Sequence, residues 1–162
     1  MKSPVPNSSV KIREANALDR SKLYDMDIKC FDDVWDLEAW LHWFEKDRVI
    51  YIAELDNKEV GFAVCVLLSD GILIEKIGVK PAHRLLGISM SLLLTIQLRA
   101  GEQEWPGVVS TTVPETFLSP GQPGDVSGWI TKVGFKAQVP LHPHYFCING
   151  EDINGVPCIL KE

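Results

Sequence analysis

The spacing of apolar residues divides the chain into short strands and a few helices. Residues 10–14 alternate between apolar and polar side chains, as a strand with one buried face does. Apolar residues recur at helical spacing in the next two segments, 17–31 and 33–46, and Asn16 stands where its side chain can cap the first turn. We therefore predict one strand followed by two helices.

The middle of the chain predicts three neighbouring strands. Their β-rich runs lie at residues 49–55, 60–68 and 72–79. The polar link at 56–59 has the length of a hairpin loop, and Ser69-Asp70-Gly71 is typical of a turn. These features indicate an antiparallel meander.

A long apolar segment follows the meander. Residues 86–100 are apolar on nearly all sides and precede Gly101, so we predict a buried helix with a glycine at its C-terminal end. A further strand is predicted at 108–113. The prolines and glycines within 114–124 exclude regular structure there and indicate a loop.

The last part of the chain predicts one more helix and the final strands. Asp125 can cap a short helix at 125–133, and Gly134 ends it. Strand-like runs follow at 145–148 and 156–160. The order of elements predicts an α/β fold whose first half is mostly antiparallel.

Composition fits one ordinary domain and excludes several classes of protein. The chain has 162 residues, is 46% hydrophobic and carries a net charge of −6. One core at 10–162, behind a leader at 1–9, needs no disulfide or metal at this size. The acidic balance argues against broad contact with nucleic acid, and no apolar run approaches the roughly 20 residues that span a bilayer. We find no export signal and expect a cytoplasmic protein.

Cysteine and histidine positions indicate neither disulfides nor a metal site. His142 and His144 are separated by one proline and have no third ligand spaced nearby, so we expect no metal. The cysteines are predicted to be small buried hydrophobic residues in a reducing compartment, since no Cys-x-x-Cys pair occurs among them. They are Cys30, Cys65, Cys147 and Cys158.

The segment with the clearest candidate functional motif lies between the last strand of the meander and the apolar helix. It reads Arg84-Leu85-Leu86-Gly87-Ile88-Ser89 and follows Val79-Lys80-Pro81. Backbone amides and the positive dipole end of a helix N-terminus bind a pyrophosphate, and a glycine lets the backbone approach it closely. A capped loop that binds nothing accounts equally well for this segment taken alone.

Two segments together resemble the GNAT superfamily of acyl-CoA-dependent N-acetyltransferases. The first is similar to the family signature Arg/Gln-x-x-Gly-x-Gly/Ala, with Ser89 at the last position. The second, Trp129-Ile130-Thr131-Lys132-Val133-Gly134-Phe135, is similar to Leu-Tyr-x-Lys-x-Gly-Phe, with Ile130 at the tyrosine position. The resemblance covers residues 10–160. It implies a GNAT fold, a mixed and mostly antiparallel sheet with splayed central strands flanked by helices.

The resemblance also implies acetyl-CoA as cosubstrate. By position, the pantetheine arm would lie along the backbone of Ile77, Gly78 and Val79. The loop that holds the pyrophosphate would consist of Arg84, Leu85, Leu86, Gly87, Ile88 and Ser89. The acceptor side would lie at the first two helices, where acidic residues could attract an amine, although an amphipathic helix with solvated acids explains most of them.

Two residues are candidates for proton transfer. Glu75 shares one face of its predicted strand with Leu73 and Ile77, and a carboxylate among apolar neighbours has the raised pKa that suits a general base. A surface ion pair accounts for Glu75 equally well. Tyr145 is the candidate for protonating the leaving thiolate, since Ile130 replaces the usual tyrosine, but most strand tyrosines serve packing.

We therefore predict direct acetyl transfer from acetyl-CoA to a primary amine in a ternary complex. The acceptor would be an amine of a small molecule or a protein. The alternative is a GNAT-fold protein without turnover, either a CoA-binding sensor or a structural protein. The chain also bears a weak resemblance to GNAT-like proteins of bacteriophages, some of which are virion components, and the virion would then be its location. A homo-oligomer or an assembly partner remains open.

Overall fold

The computed structural model divides the chain into two compact units. The first unit comprises 1–67 and 75–99, and the second comprises 68–74 and 100–162. The residues that the structure describes are 10–31, 40, 44–45, 47–83, 87–102, 108–118, 127–148 and 150–160.

Four strands provide the sheet of the first unit. They are β1 (Lys11–Glu14), β2 (Arg48–Leu55), β3 (Lys58–Leu68) and the second half of β4 (Gly71–Val79). They are hydrogen-bonded in that order, and β2 runs antiparallel to both β1 and β3. Asp56 and Asn57 have φ of 53° and 65°, which is typical of a two-residue type I′ turn. The hairpin link is therefore shorter than the predicted 56–59.

Helix α1 (Arg20–Cys30) packs on one face of this sheet. The Asn16 side chain accepts a hydrogen bond from the Leu18 amide at 2.9 Å and caps the 3₁₀ turn that precedes the helix, so the predicted cap is confirmed. The second predicted helix, 33–46, falls almost wholly outside the described residues. The core on this face consists of Leu23, Met26, Trp40, Ile50, Ile52, Phe62 and Val64.

Helix α2 (Ile88–Gly101) confirms the apolar helix but corrects its burial. Met90, Leu94 and Leu98 are 38%, 56% and 71% exposed. These positions are four residues apart and share one face of a helix, so the opposite face alone is buried. Gly101 still belongs to the helix, one residue beyond the predicted end.

The second unit contains the remaining strands and a short helix. Beside the first half of β4 they are β5 (Val108–Pro114), α3 (Ser127–Val133), β6 (Phe135–Ala137), β7 (His142–Ile148) and β8 (Glu151–Leu160). The order is β4-β5-β8-β6, with β7 also paired to β8. β4 and β5 are parallel, and β8 is antiparallel to β5, β6 and β7.

Three predictions need correction in this unit. Glu115–Leu118 form a 3₁₀ turn, so regular structure is not excluded from this part of 114–124. The last two strands begin earlier than predicted because His142 of β7 pairs with Gly155, and Glu151, Asp152 and Ile153 of β8 also join the ladder. Of the four cysteines predicted to be buried, Cys158 in this unit and Cys65 in the first unit are fully buried, Cys30 in the first unit is partly exposed, and Cys147 is exposed because it lies on the mostly exposed strand β7. Gly134, with φ of 99°, follows the last residue of α3 as predicted.

Within the described part of the chain, no helix is long and apolar enough to cross a membrane.

Candidate active site

The parallel ladder between β4 and β5 ends before β4 does. Its last pair is Ile74 and Thr111, and the Thr111 hydroxyl donates a hydrogen bond to the Ile74 carbonyl at 2.9 Å. β4 nevertheless continues to Val79. The residues predicted to line the pantetheine arm, Ile77, Gly78 and Val79, therefore come after the last β4–β5 pair.

Glu75 stands at the start of this part of β4. Leu73, Glu75 and Ile77 are partly exposed and alternate with buried residues, which confirms the predicted division of the strand into two faces. A Cβ atom on Gly61 would approach side-chain atoms of Val79 and of Ile88 on α2. The face that carries Val79, Ile77 and Glu75 is thus the one toward α2.

Burial sets the acidity of Glu75. Removal from water raises the pKa of its carboxyl above the ordinary value of 4.5, and the nearby Arg48 guanidinium opposes part of that rise. This is the direction that a general base working near neutral pH requires. Arg48, at the start of β2, was not among the predicted site residues, because nothing in the local sequence indicates that it comes near Glu75.

The raised pKa of Glu75 predicts a pH-dependent gain of stability in Glu75→Gln. The folded state favours the neutral carboxyl, so this stabilisation is full below the pKa of the unfolded chain and is lost as pH rises through the folded-state pKa. Glutamine carries no charge at any pH. We expect Glu75→Gln to have a higher Tm than the wild type near pH 8, with the difference shrinking toward about pH 4. Calorimetry across this range checks it, and a difference that does not vary with pH would contradict it.

Cys65 is not a candidate nucleophile. Burial raises the pKa of its thiol to about 12, the Glu75 charge contributes to the rise, and Arg99 opposes it. A thiol with such a pKa remains protonated near neutral pH and reacts poorly. Glu75 therefore remains the candidate reactive group of this face.

The start of α2 has the features of an anion site. Gly87 has φ of 76°, and a Cβ atom placed on it would meet none of the other described residues within 4 Å. The first backbone bond of the helix runs from the Ser91 amide to the Gly87 carbonyl at 3.1 Å, so the amides before Ser91 lie at the open N-terminal turn. Ile88 is 2% exposed, so its side chain belongs to the core and anchors the first turn of the helix. Pyrophosphate suits this combination of amides, helix dipole and space.

Three predicted loop residues, Arg84, Leu85 and Leu86, lie outside the described residues. Ser89 is described and partly exposed on the first turn of α2. Of the predicted cofactor residues, the structure thus brings together Ile77 to Val79 on β4 and Gly87 to Ser89 on α2 within the first unit.

Tyr145 and Ile130 both lie in the second unit. Tyr145 is 45% exposed on β7, and its ring centroid lies 4.9 Å from that of Phe146 and 5.5 Å from that of His142. A Cβ atom on Gly155 of β8 would come within 2.9 Å of the Tyr145 Cβ, so a glycine at this position leaves room for Tyr145 on the neighbouring strand. Ile130 is 5% exposed and serves packing. The role of Tyr145 stays a prediction.

His142 and His144 lie on strand β7, and His144 Nδ1 is 3.3 Å from a carboxylate oxygen of Asp152. In the described ranges, no group of three or more His, Cys, Asp or Glu side chains is arranged to hold a metal ion.

Comparison with known proteins identifies the family. The family model described as the acetyltransferase (GNAT) family matches residues 18–113, more than half of the chain. The chain belongs to the GNAT family. No curated protein sequence matches it significantly. The resemblance seen in the two sequence signatures is therefore confirmed, whereas nothing found bears on a bacteriophage origin.

Solved GNAT structures share the fold over nearly the whole chain. The ribosomal-protein-S18-alanine N-acetyltransferase of Escherichia coli matches with a TM-score of 0.75 and 13% identity over 94% of this chain and 93% of that chain. NAA60 of Arabidopsis thaliana, in complex with acetyl-CoA, matches with a TM-score of 0.72 and 16% identity over 93% and 97%. Naa50 of the same plant, in complex with the bisubstrate analogue CoA-Ac-MVNAL, matches with a TM-score of 0.73 and 17% identity over 95% and 99%. The predicted GNAT fold, a mixed and mostly antiparallel sheet flanked by helices, is thereby confirmed.

Proposed function

We propose that this GNAT protein transfers the acetyl group of acetyl-CoA directly to a primary amine in a ternary complex. One observation carries the proposal: β4 continues past its last pair with β5, carries the half-buried Glu75, and leads to the open N-terminus of α2 at Gly87. The candidate base, the backbone edge of β4 and the candidate anion site at the start of α2 thus follow one another along one segment of the chain.

Each part of this segment has one task. Acetyl-CoA, when bound, supplies the thioester carbon and a thiolate leaving group. The amides at the start of α2, together with Arg84 to Leu86 of the predicted loop, hold its pyrophosphate. The backbone of Ile77, Gly78 and Val79 orients its pantetheine arm.

Glu75 makes the acceptor reactive. An alkylammonium ion has a pKa near 10 and must lose a proton before its nitrogen can attack. The Glu75 carboxylate accepts that proton. The nitrogen then forms a bond to the thioester carbon, the carbon–sulfur bond breaks, and the nitrogen releases its second proton to water. The thiolate takes its proton from Tyr145 or from water.

A CoA-binding protein without turnover is the second candidate function. It is favoured by Ile130, which stands where the family signature has tyrosine and which is buried in the second unit instead of offering a hydroxyl. Water can protonate a CoA thiolate, so the substitution does not by itself remove catalysis. Binding and turnover therefore have to be measured separately.

The experiment has two stages. Acetyl-CoA is first titrated into the protein by calorimetry, and CoA release is then followed with peptide N-termini, polyamines and amino-acid amines. Peptides come first because Naa50 was solved with the analogue CoA-Ac-MVNAL. We expect binding and release with at least one acceptor class. Binding without release on any acceptor would favour the sensor, and no binding at millimolar acetyl-CoA would overturn both functions.

A further inference from the structure

A buried ion pair connects α1 to β4 beside the proposed base. Lys76 Nζ lies 2.6 Å from Oδ1 of Asp27, and the two side chains are 7% and 0% exposed. Among the described residues, no other ion pair has both partners less than a tenth exposed. Lys76 directly follows Glu75 in the chain and belongs to the opposite face of β4.

The same lysine contacts Phe31, the residue that directly follows α1. Its Nζ lies 4.7 Å from the ring centroid of Phe31, a cation–π distance. The Phe31 amide donates to the Asp27 carbonyl at 2.9 Å, and Phe31 itself is extended, with φ of −137° and ψ of 150°. The backbone carbonyl of Asp27 thus accepts the hydrogen bond at the end of α1, and the carboxylate of the same residue pairs with Lys76.

Phe31 in turn lies directly on the backbone of β4. A Cβ atom on Gly78 would stand 2.7 Å from Cε2 of the Phe31 ring and 3.3 Å from the Cβ of Cys30. Only glycine allows this approach. Phe31 therefore borders the segment Ile77–Val79, where the proposed function places the pantetheine arm.

We propose that Lys76 and Asp27 are positioning residues for acetyl transfer, fixing Phe31 and the end of α1 against β4 where the acceptor amine meets the thioester. This inference rests on the proposed function and assigns two residues to that same site. The reacting edge of β4 then has Glu75 on one face and Phe31 on the other. An ion pair suits this task because two opposite charges buried together hold each other at one short distance, whereas apolar contacts tolerate sliding.

The pair can be removed without leaving a buried charge. Replacing one partner alone leaves the other charge buried and unpaired in the core. Replacing both with apolar residues of similar size is often neutral for stability. The test variant is therefore Asp27→Leu combined with Lys76→Met. We expect it to fold with a Tm close to the wild type. Its kcat/KM for the acceptor should fall about tenfold, mainly through KM, because displacement by about 1 Å in a site has effects of this order or larger.

The affinity for acetyl-CoA distinguishes a positioning role of the ion pair from a general disturbance of the structure. The arm and pyrophosphate are held by the backbone of β4 and the start of α2, so Kd for acetyl-CoA should remain within about twofold of the wild type. The control removes the exposed pair Asp25–Lys29 of the same helix, whose atoms lie 2.9 Å apart, as Asp25→Leu with Lys29→Met. It should leave every kinetic constant unchanged.

The outcomes distinguish the inference from the function on which it rests. A wild-type chain that transfers acetyl, with a folded double variant that shows the same KM and kcat, overturns the positioning role alone. A wild-type chain that transfers acetyl to no acceptor overturns the proposed function and the positioning role together. If the double variant does not fold, Gly78→Ala replaces it, because the added Cβ displaces Phe31 while leaving both charges paired. An unchanged KM in Gly78→Ala would then overturn the role.

Discussion

Glu75→Gln is expected to lower kcat about a hundredfold or more at neutral pH, since a positioned general base contributes about 10²- to 10⁴-fold to such reactions. Glutamine keeps the size and hydrogen-bonding capacity of the side chain but cannot accept the ammonium proton. The Kd for acetyl-CoA should not change, because Glu75 belongs to the acceptor's proton transfer and not to the arm or the pyrophosphate. Steady-state kinetics with calorimetric Kd values measures both quantities.

The pH profile gives this prediction a second test. For the wild type, kcat/KM should fall on the acid side at the pKa of Glu75, which burial places above the ordinary carboxyl value of 4.5. In Glu75→Gln this acid limb should disappear. Glu151→Gln, which removes an exposed carboxylate on β8, is the matched control and should keep both the rate and the limb. A Glu75→Gln enzyme with the wild-type rate would show that water or another group removes the proton.

The parts of the site that sequence predicted depend on local chemistry. Asn16 as a cap, Gly134 at the end of α3 and the face shared by Leu73, Glu75 and Ile77 each follow from interactions within a few residues. Helix periodicity and strand alternation are local in the same sense. This is why, in the described residues, the predicted elements occur in the predicted order, while several element boundaries shifted and the short strand β6 was not predicted.

The parts that sequence did not predict depend on contacts between distant segments. Arg48 and Glu75 are on different strands, and Asp27 reaches Lys76 from a helix, so no spacing rule could pair them. The exposure of Leu94 and Leu98 is of the same kind, because an apolar sequence alone does not reveal which face of α2 meets the sheet. Three-dimensional packing decided each of these cases.

Gly87→Ala is expected to weaken acetyl-CoA binding by about tenfold to a hundredfold. Among the residues that the structure describes, none outside the immediate neighbours of Gly87 comes within 4 Å of a Cβ atom placed on it, and the proposed function assigns this space to the pyrophosphate. An added methyl group would push the phosphates away from the amides of α2, and a hydrogen bond to a charged group contributes about 1.5–3 kcal/mol, which corresponds to that loss of affinity. Calorimetric titration of acetyl-CoA measures the effect.

Gly150 supplies the control that separates this effect from backbone strain. It has φ of 80°, close to the 76° of Gly87, and in the described part of the chain its Cβ would likewise meet nothing within 4 Å. Alanine in a left-handed conformation costs about 1–2 kcal/mol, so both variants should lose similar stability. Only Gly87→Ala should lose acetyl-CoA affinity, because Gly150 lies in the turn between β7 and β8 and has no assigned ligand. Equal Kd values for Gly87→Ala, Gly150→Ala and the wild type would show that the pyrophosphate does not lie against Gly87, whatever the stability of the variants.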